Sequence, residues 1–390
     1  MIRLLPFLLL SGAAAADYDE FPSMDPVPKP PDWVQLRSHY SLIKPMNLNP
    51  GFVTKKGFQA HKGLQACVDE RLAGLKRRFG KNIGVALVDL TGDKIREPEF
   101  AQYNSWQSMY GASQSKTGAL LAAHQLLFDL QKMAEETGET DIGKFTAAAA
   151  ARFAPEVPRY RLKDKFDLTV KGGRIHVAFS RAFKDEFVQM IRISNNRIAS
   201  RVILKLGFNY IASVLWQTGI YDPARGGGLW VGRAYAGGKY WHRDPVGNQS
   251  HGISPFSMAR YMTLLAQGRL VSPEQSISMR EYLSNTRFRI KFVRSLIRIG
   301  LSVNKDNPGQ KNPAKRAVVF RKSGTMKGSH RISHDATIIL RTVCRDKACK
   351  ESVKLRYVAT GASQHGAVSS MPSMGQKLDE CIRRNNGVTI

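Results

Sequence analysis

The chain predicts an α/β fold of the α+β type. An antiparallel five-stranded sheet is drawn from both chain ends and flanked by helices, with an all-helical lobe inserted. Three observations point there. Two strand-like runs lie near the start and three near the end. A long stretch of helical periodicity separates them. One helical pattern precedes the first strands and another follows the last.

The elements follow in order. "LQACVDERLAGLKRRFG" carries apolar residues at helical spacing and stops at Gly80. "NIGVALVDLTGD" reads as a buried strand closed by a turn, and "KIREPEFAQYN" as a weaker second strand. From Ser113 to about Glu136 the pattern is helical, and Gly138 closes it. From about 140 to 285 the chain reads as mostly helical, through "RAFKDEFVQMIRIS", "NRIASRVILKL", "YIASVLWQTG", "PFSMARYMTLLAQG" and "PEQSISMREYLS". One long loop, "YDPARGGGLWVGRAYAGGKYWHRDPVGNQSHG", interrupts them, and loops of that length are usually functional or mobile. "RAVVFRKSGT", "HDATIILRTVC" and "SVKLRYVATG" return to strand patterns, and a helix around "MGQKLDECIRR" ends the chain.

Residues 1–16, "MIRLLPFLLLSGAAAA", read as a secretory signal peptide cut near Ala16: one arginine, a short apolar run, then small residues. The run is too short for a membrane span. The expected location is therefore periplasmic or secreted. Residues 17–56 are rich in proline and acids at their start and read as an extended tether. Residues 57–390 form the predicted catalytic domain, with the helical lobe at about 113–285.

The 390 residues are 43% hydrophobic and 23% charged, a globular composition with ample material for a core. The net charge of +28 is extreme for an exported protein. Between Arg287 and Arg331 stand thirteen Lys and Arg against one acid, Asp306. A solvated rim accounts for such a run; a patch for anionic cell-wall polymers or a membrane surface is the sharper reading. Nucleic acid is not expected, given export and the lack of a binding motif. The four cysteines, Cys67, Cys344, Cys349 and Cys381, allow three disulfide pairings. Their spacing does not fit zinc, and no cofactor is implied.

Three short motifs fall in one order on this scaffold. Ser113-Gln114-Ser115-Lys116 opens the first helix of the insert, Ser194-Asn195-Asn196 joins two helices, and Lys322-Ser323-Gly324-Thr325 ends a strand. Alone, each has a bland reading. About one S-x-x-K match is expected in a chain of this length, and a second, "SLIK", stands at Ser41 to Lys44. "SNN" suits a helix start. In sequence and on these element types, the three resemble the motif set of the serine β-lactamase and penicillin-binding protein superfamily. The likeness spans roughly residues 60 to 390, including the element order and the segment "PFSMARYMTLLAQGRLVSPEQSISM".

The residue chemistry suits the roles this resemblance implies. A serine hydroxyl needs a base to become a nucleophile. Ser113 and Lys116 lie one helical turn apart, so the lysine amine can serve if its site lowers its pKa, by burial or by a nearby cation such as Lys322. Ser194 would relay a proton to the leaving nitrogen, and Asn196 would hold the substrate amide and Lys116. Asn195 stands where the strict motif has Asp. Lys322, with Ser323 and Thr325, would hold a substrate carboxylate. Gly324 would let a ligand approach the strand. The N–H groups of Ser113 and Thr325 would form the oxyanion hole. Arg331 stands near a carboxylate-binding arginine of some class A enzymes.

The resemblance also implies disulfides. In that fold the first and last helices lie side by side, so Cys67 can pair with Cys381; Cys344 and Cys349 flank the short hairpin "RDKA" and can pair across it. One departure matters. Class A β-lactamases carry a loop glutamate that activates the deacylating water. Between Glu186 and Glu274 this chain has no glutamate, and its long loop offers only Asp222 and Asp244. The implied function is an exported acyl-serine hydrolase acting on β-lactams, with Asp244 the first suspect for a deacylating base. The alternatives are a D,D-peptidase or other amidase or esterase acting on peptidoglycan-type peptides, and a non-catalytic binder of anionic cell-wall polymers.

Overall fold

The structure is a computed structural model. It describes residues 59–154, 161–223, 226–236, 243–284, 292, 294, 296, 302–303, 316–327, 331–345 and 349–388. The signal peptide, the tether and much of the basic stretch from Arg287 onward lie outside the described residues.

Five long strands form the antiparallel centre of one sheet, in the spatial order Glu99–Tyr103, Ile83–Asp89, Ser352–Gln364, Ile332–Cys344, Arg316–Met326. The early pair thus joins the late three, as expected from their apolar runs. Two-residue strands, Gln59–Ala60 and Ser302–Val303, add parallel edges to this centre. The strand Ile83–Asp89 is buried along its whole length. Its side chains alternate between two cores because successive residues on a strand face opposite ways. Ile83, Val85 and Leu87 join one core; Ala86 and Val88 join the other.

The first core lies under helices Lys62–Phe79 and Met371–Asn385. Cys67 and Cys381 are bonded across these helices, Cα to Cα 5.6 Å. Cys344 and Cys349 are bonded at the hairpin, with a Cα separation of 4.7 Å. The second core joins the sheet to the inserted lobe, where helix Lys116–Thr137 runs buried through the middle. Around it pack Arg181–Ile191, Asn196–Leu206, Phe208–Gln217, Pro255–Ala266 and Pro273–Leu283.

The lobe departs from the all-helical expectation. Phe166–Lys171 and Arg174–Phe179 form a hairpin turned on Gly172 and Gly173, both at positive φ. A Gly-Gly pair between alternating runs is a readable hairpin signal, because two glycines take the positive φ that a tight turn needs. Among the described residues no single helix is long and apolar enough to cross a membrane.

Candidate active site

The site sits where the helical lobe meets the sheet. The helix holding Lys116 does not begin at Ser113. Ala112–Ser115 forms a 3-10 turn, and α-helix follows from Lys116. The turn is pinned to the sheet: Gln114 Nε2 donates to the Lys322 carbonyl at 3.2 Å. A Cβ on Gly324 would stand 2.7 Å from the Gly111 carbonyl oxygen. Gly324 is therefore small because the chain's own nucleophile turn presses against it, not chiefly because a ligand does. Ala112 is held at φ 45°, a left-handed conformation rare for a residue with a Cβ. Between Gly111 and Ala123, Ser113 alone is not buried. The fold hides every neighbour and leaves the candidate nucleophile reachable.

Lys116 is fully buried. Its amine donates to the Ser194 carbonyl at 2.7 Å, to Asn196 Oδ1 at 2.7 Å and to Ser194 Oγ at 3.2 Å. Burial pulls its pKa down to about 7. Removal from water penalises the charged form, and neutral acceptors offset that less than a carboxylate would. The expected alternative cause, the nearby Lys322 cation, is not what lowers it; burial alone accounts for the shift. A neutral amine keeps two hydrogens, enough for the two bonds at 2.7 Å.

Ser194 sits between the two lysines. Lys322 Nζ donates to Ser194 Oγ at 2.9 Å and to the Ser323 carbonyl at 3.1 Å. Ser194 is in the left-handed region, φ 64°, which presents both its carbonyl and its hydroxyl to Lys116. Asn195 explains its own departure from the strict motif. Its side chain caps helix Asn196–Leu206 by accepting from the N–H groups of Arg197 and Ile198. Asn and Asp cap about equally well, so the substitution keeps the turn that places Ser194.

Lys322 lies on the sheet face that packs against the lobe, two residues beyond Phe320, and is buried. The outer edge of its strand pairs with Ser302–Val303 only at Arg316 and Ala317. Farther along the same strand, Ser323 to Thr325 pair with Asp335 to Ser333 of the next strand. Thr325 is exposed there. Arg331 is exposed at the start of the next strand, and its carbonyl accepts from His365 N–H at 2.8 Å. No hydrogen bond or ion pair joins it to the Lys116 cluster among the described residues.

Asp244 is buried and occupied. Its carboxylate accepts from Tyr221 OH at 2.8 Å, Ser108 Oγ at 3.1 Å and Val246 N–H at 2.9 Å. It ties the long loop together rather than facing Lys116. Sequence reasoning missed what the loop does bring to Lys116. Tyr235 places its ring 4.6 Å from Lys116 Nζ and donates its hydroxyl to the Ala112 carbonyl at 2.7 Å. His251 stacks on Tyr235 with centroids 4.3 Å apart. Burial pushes the His251 pKa down to about 3, helped by the charges of Lys116 and Arg233. The loop's aromatic richness was the available signal, but nothing in it distinguished Tyr235 from its neighbours. Among the described residues, no group of three His, Cys, Asp or Glu side chains is arranged to hold a metal ion.

The fold thus brings together a serine turn, a buried lysine of lowered pKa and a Ser194 bridge to a strand lysine. Residues 182–345 match the model of the Beta-lactamase enzyme family, a segment shorter than half of the chain. The matched segment holds Ser194, Asn196 and Lys322; Ser113 and Lys116 precede it. No curated protein sequence matches the chain. Among solved structures it is similar to the beta-lactamase from Sphaerobacter thermophilus DSM 20745, at 15% identity and TM-score 0.47, over 84% of this chain and 97% of that one. It is similar to a representative of class A beta-lactamase from Bacteroides cellulosilyticus DSM 14838, at 12% identity and TM-score 0.47, over 84% and 100%. It is also similar to PBP-A, at 14% identity and TM-score 0.48, over 84% and 98%.

Proposed function

We propose that the protein is an exported enzyme that opens β-lactams through an acyl-enzyme at Ser113 and releases the product slowly. One observation supports this most. Lys116, one turn from the accessible Ser113, is fully buried with neutral acceptors, and that burial pulls its pKa down to about 7.

In this reading, neutral Lys116 takes the Ser113 proton as Oγ attacks the lactam carbonyl carbon. The new C–O bond forms and the carbonyl electron pair moves onto oxygen. The Ser113 and Thr325 N–H groups stabilise that oxyanion, each for about 2.7–4 kcal/mol of barrier. When the intermediate collapses, the ring C–N bond breaks. The nitrogen takes the proton handed from Lys116 through Ser194 Oγ. Lys322, Ser323 and Thr325 hold the substrate carboxylate by charge-assisted bonds. Water must then cleave the Ser113 ester, and a general base typically speeds such a step about 10²–10⁴-fold. Here Tyr235 meets Lys116, and the Asp244 carboxylate is engaged by three donors. Release therefore lags behind acylation.

A D,D-peptidase or penicillin-binding activity on D-Ala-D-Ala-type peptides is the second reading, and slow release favours it. Export rests on the residue 1–16 pattern and on two disulfides, which persist in oxidising compartments. The net charge of +28 supports contact with anionic cell-wall or membrane surfaces outside the cell.

A fluorescent penicillin tests the proposal. The wild type is expected to carry a covalent label that persists for minutes or longer, and Ser113→Ala none. Absence of any adduct with β-lactams, esters or D-Ala peptides refutes the acyl-serine reading. Rapid turnover of a chromogenic cephalosporin refutes the slow-release half and reveals a deacylating base.

A further inference from the structure

The long loop returns to the site by pairing. Trp230–Val231 pairs with His251–Ile253, which pairs with Met109–Tyr110, just ahead of the serine turn. Gly111 N–H donates to the His251 carbonyl at 2.8 Å. This small sheet fixes the loop against the residues that lead into Ser113, and Tyr235 emerges from it toward Lys116. The residue after Tyr235 is also held, because Ala236 N–H donates to Ser200 Oγ at 2.9 Å on the helix that begins at Asn196.

Tyr235 touches both halves of the acylation pair. Its hydroxyl holds the carbonyl of Ala112, the left-handed residue directly before Ser113. Its ring lies under the Lys116 amine, in the range of cation–π contact. The nearly parallel His251 ring, 12° from it, backs the tyrosine. Strained backbone persists only where its surroundings over-determine it, and the tyrosine hydroxyl is one such determinant.

We propose that Tyr235 is a positioning residue for acyl transfer: its hydroxyl fixes the backbone that presents Ser113, and its ring fixes and shields the Lys116 amine. This rests on the reading of Ser113 and Lys116 as nucleophile and base. The groups facing that amine are Ser194 and Asn196 from the lobe, Tyr235 with neutral His251 behind it from the loop, and Lys322 through Ser194 Oγ from the strand. Tyr235→Phe removes the hydroxyl and keeps the ring. Tyr235→Leu removes both and admits water to the amine, and a better-solvated lysine titrates closer to its ordinary range.

The test reads two quantities in the full chain: the acylation rate with a fluorescent penicillin across pH, and the Lys116 titration by NMR with 13C-labelled lysine. Tyr235→Phe is expected to acylate about tenfold more slowly at an unchanged Lys116 midpoint, the effect of one lost hydrogen bond. Tyr235→Leu is expected to raise the Lys116 midpoint by about one pH unit and move the acylation profile with it. If both variants lose only thermal stability, with acylation rate and midpoint unmoved, Tyr235 is structural and the proposal falls. If Tyr235→Leu does not fold, an undiminished rate in Tyr235→Phe overturns the hydroxyl's role. If the wild type never acylates, the Ser113 reading fails by itself, while the NMR midpoint still decides whether Tyr235 governs Lys116.

Discussion

The two faces of the sheet bury charge in different company. Under the first and last helices, Arg341 meets Asp379 at 2.9 Å, Arg383 reaches the same carboxylate at 3.2 Å, and Tyr357 OH donates to it at 2.7 Å. Arg321 faces Asp335 at 3.8 Å on the same side. Under the lobe, Lys116 is as deeply buried, yet its hydrogen bonds end on a hydroxyl, a carbonyl and an amide. A cation paired with a carboxylate stays charged and holds structure. A buried lysine without one gives up its proton readily, which suits a base. The lesson is that the partner of a buried cation, more than its burial, separates frame from chemistry.

Substitutions break this comparison, the largest effect first. Lys116→Ala is expected to slow acylation by about 10²–10⁴-fold, the usual weight of a general base, while the thermal midpoint stays close to wild type. An acylation rate within a few-fold of wild type would remove Lys116 from the chemistry. Asp379→Ala is the converse. It leaves Arg341 buried beside no carboxylate and is expected to destabilise by about 3–5 kcal/mol in denaturant titration. The folded fraction should still acylate at the wild-type rate, and a parallel loss of both would merge the two regions.

The disulfides sharpen the same contrast. The Cys67–Cys381 bond closes a separation of 314 residues, and Cys344–Cys349 closes 5. Chain entropy predicts a loss of about 6 kcal/mol for the Cys67→Ser/Cys381→Ser double variant and about 2 kcal/mol for the other pair. Equal midpoint losses in the two double variants would show that loop length does not govern them here.

The smallest effect is the pH profile. The folded pKa of Lys116, about 7, lies below its ordinary value of 10.5, and in the proposed mechanism the neutral form is the active one. Acylation should therefore rise with pH, be about tenfold below its plateau one unit under the midpoint, and level off above it. A rate that falls as pH rises through 7 would reverse the assignment of base.

Much of this was legible beforehand. The apolar run in "NIGVALVDL" and the late strand runs placed the sheet, because a strand buried on both faces reads apolar throughout. Ser113, Lys116, Ser194 and Lys322 stood out by order and residue type. Other features were not legible. Gly324 read as an opening for a ligand, whereas its neighbour is the Gly111 carbonyl. Asp244 read as a possible base, yet Tyr221, Ser108 and Val246 occupy it. Tyr235 is one aromatic in a loop of several, and its importance comes from contacts with residues more than a hundred positions away.

The sequence by itself determined the element order, the pairing of early strands with late ones, and which side chains carry reactive groups. These follow from local periodicity and residue chemistry, which a linear chain displays. Only the tertiary structure decided which cations meet carboxylates, which residue bends to expose Ser113, and which loop side chain lies beside Lys116. Those depend on distances between segments far apart in the chain, and it is those distances that set the solvation and proton affinity of Lys116.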